Sequence, residues 1–302
     1  MRKKYHLVLA ISLLLFACVG CQTEQAARLA EQRRAEALGV LRDALVNETE
    51  WVKVHAGEVL LQNGYPENVI EIFTEEEKTA GPKYRIGVWR VLAQAPPRDK
   101  MRKKYMDKII AAFLDKDGPD RLHAIESLAK LNYAARSSEV MELTEVRDQD
   151  LQPIAYWVLA NSGAVEDETA LTQLLDSDIL KVPGWVGYAF RYRPSIHDST
   201  FARLKEAALK EPVLKEAKGT GARIYLLSGA YVHARPGSKE ILRKKLLEYA
   251  TSTDKDTLNE LAVALGWSKD KRNIDLAEQL LKHSETDVTV FAADAILRLS
   301  DL

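Results

Sequence analysis

Two histidine–glutamate pairs are the residues whose types and spacing most suggest chemistry. His55 and Glu58 are three residues apart, and His123 and Glu126 repeat that spacing. Because residues three apart lie on one face of a helix, each pair presents an imidazole beside a carboxylate. Such pairs on stacked helices suit a transition metal. The competing interpretation is a polar ridge that contacts a partner or hydrogen-bonds neighbouring helices. The sequence has no HExxH motif, so we favour the ridge and predict no metal site.

A second group of candidates combines arginine with aromatic side chains. It occupies two segments, residues 84–90 and residues 190–193. Arginine and aromatic residues are enriched at the anchors of protein interfaces, and guanidinium groups bind carboxylates bidentately. The competing interpretation places Trp89 in the core and pairs the arginines with nearby acids. Partner binding is the prediction to test, and the competing interpretation stays open.

Further aromatic residues occur on predicted helices of the same kind. Tyr156 and Trp157 are adjacent, so one of the two must face the core, and Tyr225 lies on a later helix. The outward-facing rings predict an aromatic-lined concave groove, which would also suit a sugar or another small ligand. The complete predicted partner-binding set is His55, Glu58, Arg85, Trp89, Arg90, Tyr156, Trp157, Arg191 and Tyr225.

Motifs for covalent catalysis and phosphate binding are missing from the sequence. It contains neither GxSxG nor a P-loop. Gly219-Thr220-Gly221 precedes a predicted helix, and we interpret it as a turn rather than an anion site. We therefore predict a protein that is not an enzyme and needs no cofactor.

The N-terminus predicts a lipoprotein signal peptide over residues 1–17. A basic start precedes an apolar run, and the only two cysteines of the chain, Cys18 and Cys21, lie where that run ends. Leu15-Phe16-Ala17-Cys18 resembles a lipobox, so we predict lipidation at Cys18, with Cys21 as the alternative. An acylated N-terminus holds a protein durably on a membrane. We therefore expect the protein in the bacterial cell envelope, on the outer membrane or a periplasm-facing membrane.

The charge of the mature chain argues against nucleic acid as a partner. The full chain has a formal net charge of −1. Removal of residues 1–17 takes away three positive charges and no negative ones, which leaves −4 (−1 minus 3). A nucleic-acid-binding domain usually carries a basic surplus. We predict no such partner.

The elements that position these side chains form a repeat. Residues 51–64 predict a short helix with small residues in its middle and an Asn63-Gly64 stop. Small residues recur at Ala56, Gly87, Ala124 and Ala155, which are 31, 37 and 31 residues apart. A period in the thirties with two helices per unit predicts an α-solenoid, in which the small residues let successive helices approach closely. Later small residues at Gly187, Ala222, Ala262 and Ala292 continue the pattern.

The repeats resemble those of the HEAT family. The segment DVTVFAADAIL at residues 287–297 is similar to the family pattern, and Val52, Ala56, Leu60 and Gly64 fit the same frame. The resemblance covers about residues 38–300. It implies an all-α fold, a right-handed superhelix of about seven to eight HEAT-like helix pairs. It also implies partner binding, since HEAT proteins mostly serve as scaffolds. In di-iron hydroxylases, which share the HEAT-type repeats that these resemble, a glutamate directly follows the histidine. Here alanines follow both histidines.

These expectations combine into a domain plan and a function. We expect a signal peptide over residues 1–17, a lipid-anchored segment and capping helix over residues 18–37, and a HEAT-like solenoid over residues 38–302. The expected function is a membrane-tethered scaffold that binds an envelope protein or peptide. Two alternatives stay open: a metal-dependent or small-ligand enzyme or lyase on the same scaffold, and a carbohydrate-binding module that uses the aromatic groove.

Overall fold

The fold is all-α, as a computed structural model of the chain shows. The structure describes the backbone of residues 2–210 and 221–300, and the side chains of this part from Glu24 onward except Ala26 and Arg98. Its helices alternate between two layers. The odd-numbered helices form the outer layer: α1 (Arg2–Asn47), α3 (Val69–Glu76), α5 (Arg98–Leu114), α7 (Ser138–Glu145), α9 (Val165–Gln173), α11 (Asp198–Leu209), α13 (Pro236–Leu247) and α15 (Ile274–Leu280). The even-numbered helices form the inner layer: α2 (Glu50–Gln62), α4 (Tyr84–Gln94), α6 (Arg121–Lys130), α8 (Leu151–Ala160), α10 (Val182–Tyr192), α12 (Ala222–Val232), α14 (Lys255–Trp267) and α16 (Thr286–Ser300).

The predicted all-α solenoid is confirmed, with eight helix pairs in the described residues. Helix α2 shows why the repeat can be predicted locally. It ends at Gln62, where the Asn63 side-chain amide donates to the Val59 carbonyl oxygen at 2.9 Å and Gly64 adopts a φ of +85°. A left-handed residue just after a helix is the usual stop signal. In α1, Leu41 and Leu45 are fully buried.

The inner helices form a closed circle. Each packs against the next along the chain, and the last, α16, packs against the first, α2, as well as against α1. The two ends of the array therefore meet, and each inner helix has an inner neighbour on both sides. Closure adds a feature to the predicted solenoid: an enclosed lumen in place of an open concave groove.

Polar contacts at the junction accompany this packing. In the outer layer, Arg33 Nε donates to Glu278 Oε1 at 2.6 Å. The inner layer adds contacts between residues of the first and last helix pairs: Glu48 with Thr286 at 3.0 Å, His55 with Asp287 at 3.0 Å, Asn63 with Asp294 at 2.8 Å, and Gln62 with Arg298 at 3.0 Å. These contacts pair the starts of α2 and α16 with each other, and likewise their ends. The two helices therefore run parallel.

Small residues let the inner helices approach one another, as the sequence predicts. A Cβ atom on Gly187 of α10 would lie 2.5 Å from the Tyr225 carbonyl oxygen of α12. A Cβ atom on Gly87 would lie 2.9 Å from Val54 Cγ2 on the preceding inner helix. Ala56 and Ala292 are fully buried. The small positions therefore set how closely successive repeats stack.

Three predictions concern the N-terminus and the segment before α12. Helix α1 runs unbroken across the predicted boundary between residues 37 and 38. No helix in the part of the chain searched is both long and apolar enough to cross a membrane. The side chains of Cys18 and Cys21, and residues 219 and 220 of the predicted turn, lie outside what the structure describes. Gly221 has a φ of +62°, which glycine adopts without strain.

Candidate functional site

The lumen is the candidate site, because the inner helices aim most of the chemically distinctive side chains into it. A cavity of about 200 Å³ is lined by residues of α2, α6, α10, α12, α14 and α16. A second cavity of about 410 Å³ adjoins it and shares Tyr188, Tyr225 and Asp256 with it. The second cavity is also lined by Asp150 and Lys181, which directly precede α8 and α10. It is therefore the mouth of the lumen at the end where the inner helices begin.

A buried ion pair joins α2 to α4 on one wall. Arg90 is 2% exposed, and its Nε and Nη2 donate to the two carboxylate oxygens of Glu58 at 2.6 and 2.8 Å. The amide of Gln94 donates to the same carboxylate at 3.0 Å. Burial alone would raise the pKa of Glu58, but the facing Arg90 guanidinium lowers it to about 2. The pair is fully ionised at neutral pH and fixes the spacing of the two helices.

Aromatic rings and two cations fill the opposite wall. Tyr188 and Tyr192 of α10 have ring centroids 5.2 Å apart, and Tyr192 lies 5.3 Å from Trp267 of α14. The Arg191 guanidinium lies 4.8 and 4.7 Å from the two tyrosine centroids, and Lys130 Nζ lies 5.2 Å from that of Tyr188. Cations within about 6 Å of an aromatic face are attracted to it. This wall is therefore built to hold positive charge against aromatic rings.

Two acceptor atoms on α14 face the lumen without a hydrogen bond. Glu260 is 3% exposed, and its Oε1 lies 2.9 Å from Arg191 Nε. The contact is an ion pair whose angles fall outside hydrogen-bond geometry, and the nearby Ser228 hydroxyl also lowers the pKa of Glu260. Burial raises the pKa of Glu260 above its ordinary value although Arg191 lowers it. The neighbouring Asn259 Oδ1 is also buried with no partner there. Unpaired buried acceptors are rare because each loses its bonds to water.

The mouth combines half-buried aromatic rings with charged groups. Trp185 Nε1 donates to Asp150 Oδ1 at 2.8 Å, which fixes the indole across the gap between α8 and α10. Tyr225 packs edge-on against Tyr188, with centroids 5.5 Å apart. Asp256 is exposed and forms no salt bridge with another described residue. The two rings are therefore held in place at the open end of the lumen.

The two histidine–glutamate pairs lie near each other but hold different partners. His55 contacts the Asp287 carboxylate at 3.0 Å, and its ring packs 4.9 Å from Phe291. The His123 ring packs 5.3 Å from Trp51. Glu126 pairs with Lys130 at 2.8 Å and accepts from the Tyr188 hydroxyl at 3.2 Å. Within the part of the chain searched, no three His, Cys, Asp or Glu side chains group as metal ligands would.

The structure brings together five of the nine predicted partner-binding residues. His55, Glu58, Arg191 and Tyr225 line the lumen, and Arg90 lies directly behind Glu58. The remaining four residues, Arg85, Trp89, Tyr156 and Trp157, do not line either cavity.

Each of those four has a different setting. Arg85 forms an ion pair with Asp120 and stacks 5.7 Å from the centroid of the half-buried Trp89. The two adjacent aromatic residues differ in burial. Trp157 is 1% exposed and packs on Tyr188, whereas Tyr156 is only partly buried. One of these two rings therefore faces the core, as predicted.

Sequence reasoning missed the acidic and amide groups of α14 and the mouth. Asp256, Asn259 and Glu260 follow one another at spacings that place them on one side of a helix. The available signal was a polar pair, Asn259-Glu260, between the buried Leu258 and Leu261. Polar residues at an interior position of an inner helix indicate a lumen-facing group, once a lumen is known to exist.

Comparisons with known proteins give no family. No protein-family model matches the chain, and no curated protein matches it. Two engineered proteins of solved structure are similar: one at 18% identity over 65% of this chain and 96% of its own, with a TM-score of 0.36, and one at 15% identity over 91% and 94%, with a TM-score of 0.33. YibA of E. coli shares 15% identity over 90% of this chain and 95% of its own, with a TM-score of 0.35. With TM-scores below 0.5, none of these structures assigns a function to the chain.

Proposed function

We propose that the protein is a lipid-anchored, HEAT-like binding protein of the bacterial cell envelope that docks a protein or peptide partner at the mouth of its lumen. The observation that carries the proposal is the mouth itself. It presents Trp185 and Tyr225 beside Asp150, Lys181 and Asp256 in a cavity of about 410 Å³. Hot spots of protein interfaces are enriched in tryptophan, tyrosine and arginine, and the mouth presents the first two.

The rigidity of the mouth supports a binding role. Trp185 is held by its hydrogen bond to Asp150, and Tyr225 is held by its edge-on contact with Tyr188. The backbones of α10 and α12, which carry these aromatic residues, touch at Gly187. A surface fixed before binding loses less conformational entropy when the partner arrives. The ring therefore serves as a preorganised platform.

The chain direction also supports docking at this end. Helix α1 ends at Asn47 and α2 begins at Glu50, with two residues between them, so the two helices form an antiparallel hairpin. The mouth lies where the inner helices begin, which is also where α1 ends. Going back along α1 from that end leads away from the mouth towards the proposed anchor at Cys18. An anchor there leaves the mouth facing away from the membrane and accessible to an envelope partner.

Photo-crosslinking in living cells tests the proposal. A photoreactive phenylalanine analogue replaces Tyr225, and in a separate strain it replaces Met141, an exposed residue of outer helix α7. We expect a discrete envelope-protein adduct at Tyr225 that disappears when Trp185 is also replaced by Ala, and no such adduct at Met141. Identical adduct patterns at the two positions, or no adduct at Tyr225, would overturn docking at the mouth.

A further inference from the structure

We infer that the lumen behind the mouth is a binding site for a cationic group, namely the ammonium or guanidinium of a lysine or arginine side chain. The inference rests on the proposed function, because that side chain would belong to the docked partner. Asp256, Asn259 and Glu260 of α14 supply the acceptors, and Tyr225 supplies an aromatic wall. A free amine of the same chemistry would bind the same groups.

The charge balance of the walls favours a cation. Seven carboxylates line the two cavities: Glu58, Glu126, Asp150, Asp256, Glu260, Asp287 and Asp294. Three cations line them, Lys130, Lys181 and Arg191. Arg90 and Arg298, which pair with Glu58 and Asp294 from behind, raise the number of cations to five. With neutral histidines, the walls therefore carry two negative charges in excess (seven minus five).

Two buried acceptors show where the incoming group would bond. Glu260 Oε1 and Asn259 Oδ1 are both buried; the first forms an ion pair with Arg191, and the second accepts no hydrogen bond from a described residue. Glu260 already faces Arg191, yet burial still raises the pKa of its carboxyl group. A second cation at this point would compensate the carboxylate more fully. An ammonium group has three donors and no acceptor, so it can donate to Asn259 Oδ1 and to the Glu260 carboxylate at the same time.

The lumen already holds internal cations in the manner proposed for the incoming one. Arg191 lies between Tyr188 and Tyr192 and contacts the Glu260 carboxylate, and Lys130 lies over Tyr188 while it pairs with Glu126. Each internal cation thus has one carboxylate and at least one aromatic face. Tyr225 and Asp256 form a third set of the same composition, one aromatic ring and one carboxylate, and Asp256 has no salt-bridge partner among the described residues. The third set therefore has the same chemical composition as the two internal cation sites but holds no cation of its own in the described part of the chain.

Binding of lysine derivatives to the purified full-length protein in detergent tests the inference. The probe is Nα-acetyl-lysine methylamide, and the matched compounds are its neutral Nε-acetyl derivative and the anionic Nα-acetyl-glutamate methylamide. Tryptophan and tyrosine fluorescence and the melting temperature report binding, since Trp185, Trp267 and Tyr225 line the site. All solutions have the same ionic strength, because exposed charges are screened by salt.

Variants distinguish the proposed acceptors from general acidity. Asp256→Asn, Asn259→Ala and Glu260→Gln each remove one acceptor or charge from the wall. Glu142→Gln removes an exposed carboxylate from outer helix α7 and serves as the matched control. We expect saturable binding of the lysine compound alone, weakened at least ten-fold by Asp256→Asn and Glu260→Gln and unchanged by Glu142→Gln. Because Glu260→Gln also leaves Arg191 unpaired, Asp256→Asn and Asn259→Ala decide the result if that variant does not fold.

Three results would overturn the inference: equal binding of the neutral compound, no binding of any compound, or wild-type affinity in both Asp256→Asn and Asn259→Ala. These results are separable from a failure of the proposed function. A partner adduct at Tyr225 together with no lysine binding would leave docking intact and remove the cation site. Lysine binding without a partner adduct would retain the site and remove the protein partner.

Discussion

Replacement of Gly187 by alanine should destabilise the ring, although alanine is the better helix former. The new Cβ atom would lie 2.5 Å from Tyr225 O and 2.6 Å from Leu226 N, 0.9 Å (3.4 − 2.5) inside the 3.4 Å at which ordinary contact begins. Both neighbours are backbone atoms, so no rotamer change relieves the overlap. Overpacking of this kind costs about 1–3 kcal/mol, and an immovable neighbour favours the upper end. The better helix propensity of alanine offsets about 1 kcal/mol of this cost, so the net loss in the free energy of unfolding is about 2 kcal/mol.

Thermal unfolding monitored by circular dichroism measures this effect. A loss of about 2 kcal/mol corresponds to a melting temperature roughly 3 °C lower, because the unfolding entropy is about 2.1 cal/mol/K per residue and the chain has 302 residues. Gly39→Ala in α1 is the matched control, because nothing lies within 4 Å of a Cβ atom there. It should raise stability by about 0.5–1 kcal/mol through propensity alone. If Gly187→Ala melts at or above the wild-type temperature, the close approach of α10 and α12 is wrong.

Three further predictions concern the buried ion pair, its pH dependence and the anchor. Arg90→Met should lower the free energy of unfolding by roughly 3–5 kcal/mol, because it leaves the Glu58 carboxylate buried without its cation. Urea denaturation measures this loss. The double variant Arg90→Met with Glu58→Gln should recover part of it. The pKa of Glu58 lies at about 2 rather than 4.5, which at about 1.4 kcal/mol per unit is about 3 kcal/mol of stabilisation by the ionised form. That stabilisation is complete above pH 4.5 and is lost as the pH falls towards 2, so Glu58→Gln should show a flatter stability profile in this window. Cys18→Ser should move the protein from the membrane to the soluble fraction, whereas Cys21→Ser should not; the reverse result would place the lipid on Cys21.

The individual helices could be predicted because their signals are local. The stop at Asn63-Gly64 and the small residues at Ala56 and Gly87 each act within one or two helices. Helical periodicity and caps carry this information along the chain. The number of helix pairs follows from the same pattern.

Closure of the ring was not predicted, because it depends on the sum of small rotations between many repeats. One signal was present in the last helix. An open array ends in a repeat with a polar outer face, whereas α16 buries residues on all sides, including Val288, Val290 and Ile296. Its Asp294 is also buried and contacts both Asn63 and Trp267. A last helix without a polar face therefore indicates that another part of the chain covers it.

The composition of the site was predicted only in part for the same reason. His55, Glu58, Arg191 and Tyr225 stand out by residue type, and they line the lumen. Glu260 does not stand out, because an acidic residue on a helix usually faces water. Its position becomes informative only when α14 is placed in a closed circle, where the inner side of the helix faces other walls and not solvent.

Every residue of the proposed site depends on the junction between the first and the last helix pair. A cysteine pair at Glu48 and Thr286, whose side chains lie 3.0 Å apart, tests that junction in a protein that also carries Cys21→Ser. A short bis-maleimide should link the pair within one molecule and change its mobility on a denaturing gel. A control pair at Glu48 and the exposed Asp178, before the fifth inner helix, should not react. A closed ring predicts near-complete linkage of the first pair alone; equal, low linkage of both pairs would contradict closure and, with it, the lumen.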